Sequence, residues 1–265
     1  MTAQRAFINS NASLETAFER LSTGKRINSA VDDAAGLAIG KDLESRVSGL
    51  NVAIRNVNDG ISMLQITEGA YDEVTTIVQR MRDLAVQAAN GSLTTVEKGY
   101  LDSEQSNLAT ALTAVTGQAK FGSTSLISGA SSAVIQSGSE ATDLTTLTLS
   151  SALNDDADGL TLAAGDITLG TAAGALDALT KIDAALGQIA TQRASLGAQQ
   201  AQLESTVRNL SNVAENTAAA AGRIMDTDYA AETANLTKAQ ILQQAATSVL
   251  AQANAQPQSV LALLR

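Results

Sequence analysis

A stripe of apolar residues at helical spacing runs through the first third of the chain. Its members are separated alternately by four and three residues: Leu43, Val47, Leu50, Ile54, Val57, Ile61 and Leu64. The stripe then continues through Tyr71, Val74, Val78, Met81 and Ala85. This spacing keeps one face of a helix against partner helices. An ordinary core helix of a bundle would show the same spacing over a shorter length, so we predict one long helix that lies along others.

A second stripe with the same spacing lies toward the other end of the chain, at Leu186, Ile189, Leu196, Leu203, Val207, Leu210 and Ala214, preceded by Leu176 and Leu179. We predict that the two stripes pack antiparallel, with a helix over Thr94–Val115 alongside. Ser29–Asp32 and Thr94–Glu97 each place an acid three residues after a hydroxyl residue, which predicts a helix start. Asn90-Gly91 is expected to end the long helix.

The middle of the chain, Ser123–Gly174, is rich in Ser, Thr, Gly and Asp. Short alternating runs at Leu144–Leu149, Leu160–Leu162 and Ile167–Leu169 predict two or three short strands joined by polar turns. The turn at Asn154–Gly159 resembles half of a calcium loop, but the bidentate Glu of such a loop is missing at the right distance. We therefore interpret it as a solvated turn.

The patterns together predict a mainly α fold. We expect a long antiparallel helical rod, or coiled-coil bundle, built from both chain ends, with a small β-hairpin region in the middle. Five segments follow from this interpretation: a helix and connector at 1–28, long helices at 29–122, a small variable hairpin segment at 123–173, a long helix at 174–225 and a terminal helix at 226–265.

Composition argues against several classes of function. The 265 residues include no His and no Cys, which removes the commonest general base, the commonest transition-metal ligand and all thiolate chemistry. The net charge is −10, and a basic stripe for nucleic acid is missing. Asp32 and Asp33 are helix neighbours that do not face each other, and a capping turn explains Asp226 and Asp228. We therefore predict a protein that is not an enzyme, with no cofactor or metal site.

The C-terminal segment Ala239–Leu264 carries no charged residue. Its six Gln residues and Pro257 make it a poor bilayer helix, so we expect no membrane insertion. Met1–Arg20 carries charge throughout and lacks the apolar core of a signal peptide. Because a surface helix normally carries charges, the uncharged segment is expected to be buried in an assembly.

Eight runs of residues form distinctive motifs along the chain: Leu21–Ile39, Arg55–Ser62, Thr67–Ala70, Leu84–Asn90, Asp228–Glu232, Ala239–Ala245, Ser248–Asn254 and Ser259–Arg265. In sequence and in order, these motifs resemble those of bacterial flagellins. The large outer domains of many flagellins have no counterpart, so the resemblance is to a minimal type. Family members usually carry a further polar segment ahead of the position of Met1, which is linked to export and to packing of the inner tube.

The resemblance implies a secreted, extracellular structural protein that self-assembles into the flagellar filament for motility, with the terminal helices lining an inner core. Implied partners are further copies of the chain, a flagellar secretion chaperone, the type III export apparatus, the filament cap and the hook–filament junction proteins. The inter-subunit residues we expect are Leu14, Phe18, Ile241, Leu242, Val249, Leu250 and Leu261. The alternative is a flagellin-like surface protein that binds polysaccharide or ions.

The resemblance also implies a surface that the innate flagellin receptor of animals recognises. In this sequence it corresponds to Gln79, Arg80, Leu84 and Glu104. Arg80 and Leu84 are four residues apart, so they are expected to share one helix face. The alternative is that Arg80 pairs with a nearby carboxylate and Leu84 packs in the apolar stripe.

Overall fold

The computed structural model describes residues 2–127, 131–149 and 167–263, with side chains described within 4–252 apart from 128–131 and 150–166. The elements are α1 (Thr2–Thr23), α2 (Ala34–Ala88), α3 (Thr95–Gln118), β1 (Lys120–Phe121), β2 (Thr124–Ser125), β3 (Ser131–Gln136), β4 (Leu144–Leu149), α4 (Ala172–Met225) and α5 (Tyr229–Leu263). The prediction of a mainly α fold, with long helices from both chain ends and a small hairpin region, is confirmed.

The chain divides into two compact units. The terminal unit consists of Met1–Ser48 and Val213–Arg265, and therefore contains α1, the start of α2, the end of α4 and α5. The central unit is Gly49–Asn212, with the rest of α2, the helix α3, the strands and most of α4.

In the central unit α2 and α4 run antiparallel, as the matching stripes predict. Arg82 Nε donates to Asp183 Oδ1 at 2.7 Å, and Arg193 pairs with Glu68 at 2.7 Å and with Asp72 at 3.2 Å. Along these pairs the residue numbers on α4 increase while those on α2 decrease, so the two helices are antiparallel. Hydrogen bonding to Asp183 and to Glu68 raises the pKa of the Arg82 and Arg193 guanidinium groups, respectively.

Buried positions on α2 recur every seven residues in two stripes. The first stripe is Leu50, Val57, Leu64, Tyr71, Val78 and Ala85, and the second is Ala53, Gly60, Thr67, Val74, Met81 and Ala88. The matching stripe on α4 is Ala175, Ile182, Ile189, Leu196, Leu203 and Leu210. Seven residues are close to two helical turns, so each stripe stays against its partners along the helix.

At two positions the second buried stripe of α2 is shifted by one residue from the predicted stripe. Ile54 and Ile61 are half-buried, whereas their smaller neighbours Ala53 and Gly60 are buried. On α4, Leu176 is 61% exposed, so its place in the predicted stripe is wrong. The reason is that large apolar side chains dominate a sequence pattern, while small residues allow the closest approach of neighbouring elements and so occupy the buried face.

The hairpin β3–β4 packs on α2 at Gly60. The two strands pair antiparallel over six residues each, and Ile135 and Leu147 on one face are buried. A Cβ at Gly60 would overlap Ile135 Cδ1 and would lie 3.4 Å from both Leu147 and Leu203. The absence of a side chain at this position therefore lets the hairpin and α4 approach α2 together.

The strand prediction for Leu144–Leu149 is confirmed, and its partner Ser131–Gln136 was not predicted. The predicted strand at Ile167–Leu169 is wrong. That segment is irregular although both apolar residues are buried, because the backbone N–H of Leu169 donates to Asp102 Oδ1 of α3 at 2.6 Å rather than to a strand. The predicted strand Leu160–Leu162 and the turn Asn154–Gly159 lie outside the described residues.

The predicted start of α3 is confirmed as a capping box. The backbone N–H of Glu97 donates to Thr94 Oγ1 at 3.4 Å, and the N–H of Thr94 donates to Glu97 Oε2 at 2.8 Å. The N–H and the hydroxyl of Thr94 both donate to the Glu97 carboxylate, which stabilises its ionised form and lowers the pKa of Glu97. The cap therefore satisfies backbone donors that a helix start leaves without partners.

The predicted start of α2 at Ser29–Asp32 is wrong, because α2 begins at Ala34. Asp33 Oδ1 accepts from the N–H of Gly36 at 2.9 Å, which is the usual reach of a capping side chain. Asp32 serves the preceding turn instead, where its carboxylate accepts from the N–H groups of Asn28 and Ser29. These hydrogen bonds lower the pKa of Asp32.

Candidate interaction surfaces

The helices α1 and α5 pack against each other in the terminal unit. Gln243 Nε2 donates to Asn11 Oδ1 at 2.6 Å, and Arg20 Nη1 lies 3.9 Å from Glu232 Oε2. Residue numbers rise on α1 as they fall on α5, so the pair is antiparallel. Among the described side chains of the two helices, the buried ones are Ala17, Glu232 and Ala239. Two alanines and a charged residue make a very small core.

Large apolar side chains remain exposed on the same two helices. The exposed fractions are 64% for Ile8, 50% for Phe18, 56% for Tyr229, 61% for Ile241, 48% for Leu242 and 51% for Val249. Of the other predicted inter-subunit residues, Leu14 and Leu250 are half-buried and Leu261 lies outside the described side chains. We call the exposed apolar residues of α1 and α5 the terminal apolar surface.

Two grooves border this surface. One, of about 480 Å³, lies between α1 and α5, and its lining includes Ser13, Thr16, Arg20, Asn235 and Lys238. The other, of about 470 Å³, lies beside α5 and is lined by Ala234, Thr237, Lys238, Ile241 and Leu242. The second groove places exposed apolar side chains next to an open concave surface, which is a shape that another helix can fill.

The connectors that lead into α2 and α5 are joined by backbone hydrogen bonds. Lys25 and Asp226 form an isolated antiparallel β-bridge, and the N–H of Arg26 donates to the carbonyl of Met225 at 2.6 Å. Gly24 has a φ of +70°, a conformation that a side chain would strain. The bridge therefore holds the end of α1 beside the start of α5.

A carboxylate with two lysine partners lies next to this bridge. Glu44 accepts from Lys25 Nζ at 2.6 Å and from Lys41 Nζ at 2.7 Å. Hydrogen bonds first from Lys25 and then from Lys41 lower the pKa of Glu44. The ionised carboxylate thus ties the connector after α1 to the first turns of α2.

The four residues of the predicted receptor surface are not all exposed. Gln79, Arg80 and Glu104 are on or near the surface, and Arg80 Nη2 pairs with Glu104 Oε1 at 2.5 Å. Leu84 is only 1% exposed and is part of the buried face of α2. The alternative interpretation, in which Arg80 pairs with a carboxylate and Leu84 packs in the core, describes the observed arrangement.

Of the acids considered as catalytic candidates, Asp32, Asp33 and Asp228 accept hydrogen bonds from backbone N–H groups. Asp228 Oδ1 accepts from the N–H groups of Ala230 and Ala231, which caps α5. Within the described ranges, no group of three or more acids, histidines or cysteines is placed to hold a metal ion. No helix among the described residues has the length and apolarity needed to cross a membrane.

Comparisons with known proteins decide the family. Residues 1–132 match the profile of the bacterial flagellin N-terminal helical region, and residues 179–264 match that of the C-terminal helical region. Flagellin A of Vibrio cholerae is 34% identical over 368 aligned residues, covering 100% of this chain and 97% of that protein. The flagellin of Halalkalibacterium halodurans is 43% identical over 252 residues, covering 95% and 92%. The chain belongs to the bacterial flagellin family.

Solved structures agree with this assignment. The crystal structure of Bacillus cereus flagellin matches with a TM-score of 0.51 and 31% identity, over 63% of this chain and 94% of that one. A putative flagellar hook-associated protein from Vibrio parahaemolyticus has a TM-score of 0.60 at 16% identity, over 74% and 100%, and shares the fold. This family member is therefore a structural protein of the flagellar filament. The alternative of a surface receptor for polysaccharide or ions gains no support.

The Vibrio cholerae alignment is also informative about size. It extends over 368 positions although this chain has 265 residues, so the relative carries segments with no counterpart here. The two family profiles leave residues 133–178 unmatched, and this interval includes β4 and most of β3. The chain is thus a flagellin of the minimal type, without large outer domains.

Proposed function

We propose that the terminal apolar surface is where copies of this chain pack together in the filament. The observation that carries the proposal is the contrast within α1 and α5 between three buried side chains and six large apolar ones that are at least 48% exposed. Ile241 and Leu242 line one groove together, and a contiguous exposed apolar patch of this kind marks a site of association. Packing against the same helices of neighbouring copies removes these side chains from water.

The size of the effect supports assembly through this surface. Full burial of a large apolar side chain contributes about 1.5–3 kcal/mol, before the entropy of association is subtracted. Several such residues on each subunit, repeated along a helical polymer, give a driving force that a two-helix pair cannot obtain by itself. The uncharged sequence of α5 after Lys238 adds no desolvation penalty for ionised groups.

The test introduces one charge into the surface and one beside it. Ile241→Glu places a carboxylate at a 61% exposed apolar position, whereas Gln240→Glu adds the same charge at the neighbouring exposed polar residue. We expect sedimentation and electron microscopy to show loss of filaments for Ile241→Glu, and a much smaller effect for the Gln240→Glu control. Deletion of 236–265 should leave a soluble monomer. Filaments formed by the Ile241→Glu and deletion variants would contradict the proposal.

We further propose that α5 is covered by a flagellar secretion chaperone before export. The groove beside α5 and the exposed Ile241 and Leu242 support a partner that presents a hydrophobic groove of its own to this helix. A pull-down with the full chain should recover the chaperone, and the Leu242→Glu variant should bind it several-fold more weakly. Equal binding by the full chain and by the chain truncated at Thr237 would contradict this assignment.

The remaining partners follow from the same role. A filament subunit that leaves the cell through the flagellar type III export apparatus adds to the polymer beneath a filament cap and above the hook–filament junction proteins. We propose these partners and an extracellular location for this chain. Extracellular protein that disappears when the export apparatus is inactivated would support the route, while unchanged secretion would contradict it.

We also propose that the exposed residues Gln79, Arg80 and Glu104 form part of a surface for the animal innate flagellin receptor. The paired guanidinium and carboxylate of Arg80 and Glu104 present a planar array of donors and acceptors, which suits a protein interface. Leu84 would contribute indirectly, because its buried side chain packs on the core face of α2 and helps to hold Arg80 in position. Receptor activation by monomeric protein should fall for Arg80→Ala and for Glu104→Ala, and equal activation by all three proteins would contradict the proposal.

A further inference from the structure

The turn between α2 and α3 contains the sole Asn-Gly pair of the sequence, Asn90-Gly91. Both residues are exposed, and they follow the last residue of α2, Ala88, by two and three positions. The side-chain oxygen of Asn90 accepts a hydrogen bond from the N–H of Ser92 at 3.1 Å. This bond folds the side-chain amide back over the peptide unit of Gly91, in an Asx-turn geometry.

The backbone nitrogen of Gly91 is unusually free to react. Among the hydrogen bonds of the described residues, none is donated by this N–H. A Cβ built on Gly91 would meet nothing within 4 Å, so neighbouring atoms do not block the approach to the peptide. Glycine also allows the wide range of backbone angles that ring closure requires.

We propose that Asn90 is a site of spontaneous modification, which converts to aspartate and isoaspartate through a cyclic imide formed with Gly91. The Gly91 nitrogen loses its proton to solvent and forms a bond to Cγ of Asn90, while the Cγ–Nδ2 bond breaks and ammonia leaves with that proton. Water then opens the ring at either carbonyl. One water is consumed and one ammonia is released, and no atom is oxidised or reduced.

A second asparagine in a loop provides an internal comparison. Asn28 also lies in a connector and is followed by a small residue, Ser29. The N–H of Ser29, however, donates to Asp32 Oδ2 at 2.9 Å. The nitrogen that would attack Asn28 is therefore held by a carboxylate, and losing its proton would cost that hydrogen bond. Asn-Gly is already the more reactive of the two pairs because glycine hinders ring closure least, and the hydrogen bond at Ser29 slows the reaction at Asn28 further.

The product changes the turn in two ways. A carboxylate at Asn90 adds a negative charge just beyond the C-terminal end of α2, where the helix dipole already concentrates partial negative charge. The isoaspartate form also inserts a methylene into the main chain of the turn that leads to α3. Both changes weaken the connection between the two helices.

The test is incubation of the full-length folded chain at mildly alkaline pH, followed by tryptic peptide mass spectrometry. The peptides 83–98 and 27–41 contain one asparagine each, Asn90 and Asn28, so the mass gain of amide loss is assigned without ambiguity. We expect Asn90 to deamidate several-fold faster than Asn28, with isoaspartate detected by isoaspartyl methyltransferase labelling. A time-zero digest corrects for reaction during proteolysis.

Three controls separate the effect of Gly91 on the deamidation rate from the effect of the hydrogen bond at Ser29. Gly91→Ala keeps Asn90 and fits the open space, and it should slow the reaction several-fold. Asp32→Ala frees the N–H of Ser29 and should raise the rate at Asn28. Unfolding the unmodified chain in denaturant should also raise the deamidation rate at Asn28. Equal rates at Asn90 and Asn28 in the folded protein, or an unchanged rate in Gly91→Ala, would overturn the proposal.

Discussion

The central unit and the α1–α5 pair are built from similar helices but bury very different amounts of apolar surface. In the central unit, α2 has two stripes of buried residues at seven-residue spacing, and α4 and the hairpin both reach it at Gly60. In the α1–α5 pair the buried apolar side chains among those described are two alanines, Ala17 and Ala239. The difference lies in the size of the apolar side chains that are buried. We infer that the central unit is stable within one chain, whereas the terminal helices depend on other copies.

The largest expected effect comes from removing a buried side chain of the central unit. Leu64 is 1% exposed, so Leu64→Ala should lower the free energy of unfolding by about 2–5 kcal/mol through lost burial and a cavity. Ile241→Ala, at a 61% exposed position, should change it by less than about 0.5 kcal/mol in the monomer. Urea unfolding followed by circular dichroism measures both. Similar losses in the two variants would show that the terminal helices are as well packed as the central unit.

The next effect comes from two glycines of α2 that differ in their surroundings. Gly60→Ala should destabilise the chain by about 1–3 kcal/mol, because the new methyl overlaps Ile135 on the hairpin. Gly69→Ala meets nothing within 4 Å and should stabilise the helix by roughly 0.5–1 kcal/mol. Thermal unfolding of the two variants measures the contrast. Opposite signs are expected, and a stabilising Gly60→Ala would mean that the hairpin can move away from α2 at little cost.

The sequence predicts the long helices because their apolar residues repeat with a clear period, and it predicts the antiparallel arrangement because two such patterns match. It fails where small residues decide the packing. Gly60 and Ala53 carry no apolar signal, yet they occupy the closest contacts. Thr67 is buried although it is polar, because its hydroxyl donates to the carbonyl of Met63 at 2.8 Å. The motif also placed the cap of α2 at Ser29, four residues before Asp33, whose carboxylate accepts from the N–H of Gly36.

The sequence predicted the terminal apolar surface better than it predicted the surface around Arg80. An uncharged terminal helix pointed to exposed apolar residues at Ile241 and Val249, and both are at least half exposed. The four-residue spacing of Arg80 and Leu84 suggested one shared face, but the face of α2 is narrow enough that Arg80 is exposed while Leu84 is buried. The four-residue spacing alone therefore does not tell which of two neighbouring side chains on a helix is buried.

A smaller effect is expected from acid. The pKa values of Asp32, Glu44 and Glu97 are lowered in the folded chain, by backbone donors, lysines and a capping box, respectively. The unfolded chain therefore binds more protons at these three carboxyl groups. The stability that the ionised carboxylates contribute is fully present above their unfolded-state pKa values, near 4, and is lost as the pH falls through their folded-state pKa values. The melting temperature should drop as the pH falls below about 5.

A variant assigns part of this slope to the terminal unit. Glu44→Gln removes the ionised partner of Lys25 and Lys41, so its melting temperature should be lower at neutral pH and should fall less steeply on acidification. The effect should be below about 1 kcal/mol, since all three side chains are more than one-third exposed. An identical pH profile in the variant would show that the lysine–glutamate contact adds no stability.

The smallest effect is expected at Arg80 and Glu104. Their ion pair has good geometry, but the side chains are 54% and 43% exposed, so water and salt screen it. Double-mutant cycles with Arg80→Ala and Glu104→Ala should give a coupling of about 0.2–1 kcal/mol that decreases at high salt. Arg82 and Asp183, which join α2 to α4 at similar exposure, provide the matched pair. If the Arg80–Glu104 coupling matched the loss at Leu64, this surface would be a structural support of the central unit, and its mutation could not be read as a test of partner binding alone.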